Sequence, residues 1–198
     1  RTMRRRTLLL FSLFFMLLPT LSGCGYNRIQ ENEEAVFAAW ADVEATYQRR
    51  ADLIPNLVET VKAYAAHEKE TLQAVTEARS KVGQVQISAE QLNDPASLAR
   101  FQEAQESMSG ALSRLLVVAE RYPDLKANQN FLDLQHQLEG TENRINVARQ
   151  RYNQTVMTFN SSIRSLPGNL TNKFMLKLER KAPFKAQPGA EQAPQVKF

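Results

Sequence analysis

Apolar residues spaced three and four apart run through most of this chain, and that period limits its fold more than any other feature. Strands need alternation at every second residue, and no stretch of useful length shows it. In 30–50, Val36, Trp40, Val43 and Tyr47 follow one another at spacings of 4, 3 and 4, which places them on one helix face. In 56–82 the stripe is Val58, Val61, Ala65, Leu72 and Val75, with Glu68 at an in-phase position. In 95–121 it is Leu98, Phe101, Met108, Leu112, Leu115 and Ala119. The longest, 128–166, carries Leu134, Leu138, Ile145, Ala148, Tyr152, Val156, Phe159 and Ile163. At 1.5 Å rise per residue such a helix is about 58 Å long.

The breaks are set by local chemistry. Pro55 removes an N–H donor and disfavours helix before it, so a break is expected there, with Asp52 capping the next helix. Because the apolar phase continues across Pro55, one long kinked helix is the alternative. Residues 83–93 read as a loop. Asp94-Pro95 is a helix start, Tyr122-Pro123-Asp124 a joint and Pro167-Gly168 a stop. Beyond it come an ambiguous segment, 172–181, and a tail. The tail is either a disordered end or a strap along the helices, with Phe184, Val196 and Phe198 as its apolar beads. The expected fold is all-α, an elongated antiparallel four-helix bundle. The alternative is three long helices, the first kinked at Pro55.

The N-terminus reads as a targeting segment. Arg4-Arg5-Arg6 is cationic, 8–18 is almost wholly apolar, and Leu21-Ser22-Gly23-Cys24 follows. Charged start, short apolar core and small residues at the cut describe a signal peptide. The apolar run is shorter than the ~20 residues of a spanning helix. The last four residues resemble a bacterial lipobox, in which the thiol of Cys24 accepts lipid and becomes the first residue kept. An uncleaved signal anchor is the other reading. Gly25 follows, where an aspartate would resemble an inner-membrane retention signal, so an outer membrane is expected if the host has one. The domains are therefore 1–23 signal peptide, 24–29 lipidated tether, 30–166 helical bundle and 167–198 C-terminal segment and tail.

Charge follows the same division. The chain has 25 Lys+Arg and 21 Asp+Glu, but Arg1, Arg4, Arg5 and Arg6 precede Cys24 and no acidic residue does. The remainder is neutral, which argues against nucleic-acid binding. With a single cysteine, neither an intrachain disulfide nor a zinc knuckle can form.

Several stretches resemble the LemA family. The first is Tyr47-Gln48-Arg49-Arg50-Ala51-Asp52-Leu53-Ile54-Pro55-Asn56-Leu57-Val58, followed by Thr60-Val61-Lys62-Ala63-Tyr64-Ala65 and His67-Glu68. Leu112-Ser113-Arg114-Leu115-Leu116 and Tyr122-Pro123-Asp124-Leu125-Lys126-Ala127-Asn128 continue it. The strongest run is Leu134-Gln135 with Gln137-Leu138-Glu139-Gly140-Thr141-Glu142-Asn143-Arg144-Ile145, then Ala148-Arg149 and Tyr152-Asn153. Gly189-Ala190 and the close from Pro194 to Phe198 are similar as well. The resemblance implies a membrane-tethered, extracytoplasmic helical bundle and does not imply an enzyme. Two features depart from the family: a lipobox in place of a transmembrane anchor, and a segment after Pro167 without the usual aromatic-glycine pattern.

Catalytic constellations are hard to assemble from these residues. A carboxylate-bridged metal site in a four-helix bundle wants two Glu-x-x-His pairs and two further glutamates. This chain has two histidines. His136 follows Asp133 at the right spacing, while His67 has Tyr64 there, so no metal or cofactor is expected. The serines have no histidine motif nearby, and no glycine-rich phosphate loop is present. A charged cluster remains: Arg49, Arg50, Asp52, Arg114, Glu139, Glu142, Asn143, Arg144 and Arg149. If buried, these groups must be paired. They form either interhelical ion pairs that fix register or a polar surface for a protein partner. The expectation is a lipid-anchored, non-cytoplasmic envelope protein with an interaction or scaffold role and no enzyme activity. Envelope proteins are its expected partners, and a second copy of the chain is a candidate partner through the apolar stripes. The alternatives are a metal- or cofactor-dependent helical enzyme and a small-ligand or cell-wall-binding lipoprotein.

Overall fold

The computed structural model describes residues 2–185, with side chains from 25 onward. Cys24 and the tail 186–198 lie outside the described side chains. The helices are α1 (Thr2–Tyr64), α2 (Lys69–Gln84), α3 (Pro95–Ala119), α4 (Pro123–Lys126), α5 (Gln129–Ser162) and α6 (Gly168–Thr171). A 3₁₀ turn, Ala89–Asn93, precedes α3, and a π turn, Asn172–Leu176, follows α6. No strand occurs among the described residues, so the chain is all-α. Among those residues no helix is long and apolar enough to cross a membrane.

The chain divides into two compact units, and α1 and α5 each contribute to both. The first comprises the residues up to Gln48 together with Asn143–Lys181. Here α1 and α5 run antiparallel. Asp42 pairs with Arg151 at 3.1 Å, and Trp40 meets Tyr152 edge-on with ring centroids 5.4 Å apart. Ile29, Val36, Trp40, Val43, Tyr47, Ile145, Tyr152, Val156, Phe159 and Ile163 are buried in it. Burial pushes the Tyr152 hydroxyl well above the ordinary tyrosine range. Residues 25–29, expected as a tether, continue α1, and Gly25 and Ile29 are buried.

The second unit comprises Arg49–Glu142 and residues from Ala182. Its core joins Ile54, Leu57, Val61, Ala65, Leu72, Val75, Met108, Leu115, Leu125, Phe131, Leu134 and Leu138. The apolar stripes read from the sequence are thus the buried faces, apart from Val58, which is partly buried.

The expected break at Pro55 is corrected: α1 passes through it and ends at Tyr64. The reason is a substitute donor. Pro55 cannot bond the Ala51 carbonyl four residues back, and the Arg79 side chain of α2 donates to that oxygen instead, Nε to O 3.2 Å. Asp52, expected as a cap, is exposed inside α1. The break falls at 65–68, where Glu68 accepts from the Arg121 guanidinium at 2.9 Å and the Tyr122 hydroxyl at 3.0 Å. The bond to Glu68 holds the Tyr122 hydroxyl above its usual pKa.

Asp94 caps α3 as expected, accepting from the amides of Ala96 and Ser97, each at 3.0 Å, and from the Ser97 hydroxyl at 2.7 Å. α5 ends at Ser162, earlier than the sequence stop. The next turn returns so tightly that a Cβ at Gly168 would stand 2.2 Å from the Ser162 carbonyl oxygen. Residues 181–184 pack as a strap: in the first unit the Lys181 backbone exchanges two 2.9 Å bonds with the Asn160 amide. In the second, Ala182 donates to the Leu92 carbonyl at 2.8 Å, and Phe184 packs near Phe101.

The cap gives a direct test. The Ser97 hydroxyl and the Ala96 and Ser97 amides hold the Asp94 carboxyl below its ordinary pKa. Its contribution is therefore complete above the usual carboxylate range and is lost as pH falls through the depressed folded value. Asp94→Ala lowers the melting temperature at neutral pH and flattens that acid dependence. Asp94→Asn, which still accepts at the cap, retains most of the neutral-pH stability. Circular-dichroism melts across pH measure both.

Candidate functional site

The stripe of α1 runs 43, 47, 50, 54, 57, 61, and position 50 is an arginine. Arg50 is accordingly 2% exposed. On α3 the stripe 98, 101, 105, 108 includes a glutamine, and on α5 the stripe 134, 138, 141, 145 includes a threonine. Gln105 and Thr141 are buried too. Within these stripes each of the three helices gives one core position to a polar side chain.

Arg50 and Gln105 form the centre of this site. Arg50 Nη2 donates to Gln105 Oε1 at 2.6 Å and to the Gln105 carbonyl at 3.2 Å. Its Nη1 donates to Ser109 Oγ at 2.8 Å and to Glu142 Oε2 at 3.1 Å. Ser109 Oγ in turn donates a hydrogen bond to the Gln105 carbonyl at 3.2 Å. Thr141 bonds back to the Gln137 carbonyl at 2.7 Å. The Glu142 side chain is 48% exposed, so the pair runs from a buried cation to a carboxylate at the water boundary. The planar guanidinium suits this role because its donors reach several acceptors at once.

The nine charged and polar residues singled out in the sequence do not share one role. Arg50 and Glu142 pair. Arg49 donates to Gln137 at 3.2 Å, and Glu139 accepts from Gln135 at 3.2 Å. Asp52 and Arg114 are exposed in the second unit, Asn143 and Arg144 are exposed in the first, and Arg149 is half-buried there. Asn143 and Arg144 line an open groove of about 420 Å³ between α1 and α5 with Asp42, Thr46, Val147 and Arg151. His67 and His136 are exposed, the latter 3.9 Å from Glu139. Among the described residues no three histidine, cysteine or carboxylate side chains gather as metal ligands.

A second buried charge escaped the sequence reading. In the first unit Lys181 Nζ lies 3.0 Å from Glu33 Oε1, with 6% and 13% of the side chains exposed. The ammonium stands 4.9 Å from the Phe37 ring centroid and 5.7 Å from that of Phe159, within cation–π range. Glu33 occupies the in-phase position between Ile29 and Val36, a signal that was there to be found. Lys181 carried none, because only the return of the strap brings it to α1.

These features define an all-α helical-bundle protein whose buried charges are neutralised inside each unit. The chain belongs to the LemA family, whose profile matches residues 39–198. It is similar to Protein LemA of Metamycoplasma hominis, 27% identical over 157 residues, spanning 77% of this chain and 68% of that one.

The polar layer can be tested by stability. Arg50→Met strands the buried Gln105 acceptors and costs about 2–3 kcal/mol. Adding Gln105→Leu recovers a large part of that loss, since both buried polar partners are then gone. Glu142→Gln, at a half-exposed position, costs under about 1 kcal/mol. Urea titrations of the three variants measure the order.

Proposed function

We propose that this protein is a lipid-anchored scaffold of the bacterial envelope, held on the non-cytoplasmic side through Cys24. The observation that carries the reading is the abutment of lipobox and bundle. Leu21-Ser22-Gly23-Cys24 directly precedes Gly25, which is buried. Cleavage before Cys24 keeps every residue whose side chain is described, and lipid on Cys24 anchors the chain directly ahead of Gly25.

The side chains at the polar layer support binding and rigidity over chemistry. Ser109 Oγ accepts from a guanidinium and donates to a carbonyl, so no base is placed to take its proton. The groove beside Arg144 suits a protein partner: Val147 is exposed there for apolar contact, and Arg144 offers a planar donor group.

Mass spectrometry of the membrane-extracted protein is expected to show Cys24 as an acylated N-terminal residue. Cys24→Ser is expected to release the chain from membranes. An intact leader without fatty acid would sink the anchoring. For the scaffold role, a photocrosslinker at Val147 should capture an envelope protein in living cells. Arg144→Glu should abolish that capture with unchanged melting, because Arg144 is exposed and has no ion-pair partner among the described residues. Capture unaffected by Arg144→Glu would remove the groove from the interface.

A further inference from the structure

Four of the first unit's exposed large apolar side chains fall within one stretch of ten residues. Leu166, Leu170, Phe174 and Met175 are 74%, 51%, 72% and 66% exposed. They sit on the turn after α5, on α6 and on the π turn. Clustered exposure of this kind marks a surface that meets something apolar. We infer that this α6–π-turn segment seats in the headgroup–acyl boundary of the same bilayer that holds the anchor. The inference rests on the membrane tether proposed above.

Three observations select a lipid surface. The first is position. A Cβ at Gly25 would lie 3.2 Å from Thr171 Oγ1 and 3.6 Å from the Pro167 ring. The segment is therefore packed against the residue that directly follows Cys24, at the point where the chain would enter the membrane. The second is charge. Between 161 and 178 there is no aspartate or glutamate, while Arg164, Lys173 and Lys177 are all exposed. A cationic rim around apolar side chains matches anionic headgroups above acyl chains. The third is side-chain chemistry. Lys173 Nζ stands 5.8 Å from the Phe174 ring centroid, so its charge and the ring occupy one spot, the arrangement of a side chain whose stem enters lipid while its head stays wet. Tyr26, half-exposed on α1 two residues past Cys24, adds a ring of the kind enriched at membrane interfaces.

The test uses the full lipidated chain in vesicles of phosphatidylethanolamine and phosphatidylglycerol. With Cys24 acylated, Phe174→Cys supplies a single thiol for a nitroxide, and Val117→Cys, equally exposed but in the second unit, is the reference. Flotation reports the tether, and collision with oxygen against a water-soluble nickel complex reports depth. The expected result is a floating protein in which oxygen dominates at 174 and nickel dominates at 117. A floating protein with nickel dominant at 174 overturns the seating and leaves the tether standing. Shielding of 174 from both reagents overturns it in favour of a protein or second-copy contact. Failure to float removes the tether, and the seating falls with it.

Discussion

A buried positive charge is tolerable only where acceptors are already waiting, and Arg50 sets that condition for the second unit. An isolated ion in a protein interior costs several kcal/mol. The guanidinium therefore requires Gln105 and Ser109 of α3 and Glu142 of α5 to stand where they do. Leucine stripes on long helices allow sliding by a turn, since each apolar step resembles the next. A guanidinium matched to one glutamine, one serine and one carboxylate does not. The polar layer thus supplies uniqueness where the apolar seam supplies most of the cohesion.

The first unit solves the same problem with different parts. Glu33 lies on the buried face of α1, and its counter-ion arrives from near the end of the described chain. Lys181 is delivered by a strap whose backbone is clamped by Asn160, and two aromatic rings line the ammonium. Packing and charge neutralisation are one event there: the strap cannot leave without stranding a carboxylate in the core.

Helical period made most of the fold legible. Every apolar position placed on a stripe of 30–50, 95–121 and 128–166 is buried, because amphipathic period is a local property with a direct packing consequence. The Asp94 cap was legible for the same reason. Pro55 reads as a break because the sequence shows which donor is missing and not which distant side chain replaces it. The site was legible in part. Arg50 and Glu142 stand among the candidates, but polarity alone does not separate them from the other seven. Reading the phase of each polar residue against its stripe separates Arg50, Gln105, Thr141 and Glu33 from the exposed Asp52, Arg114 and Arg144. Lys181 was invisible, since no periodicity governs a strap.

The bond from Arg79 to the Ala51 carbonyl makes the continuity of α1 through Pro55 a collective property. A free segment spanning Pro55 has an orphaned oxygen and every reason to bend. Only once α2 has docked does that oxygen gain the donor that the proline withholds. Residue 79 therefore supports a helix to which it does not belong, and changes there would be felt at a carbonyl 28 positions earlier.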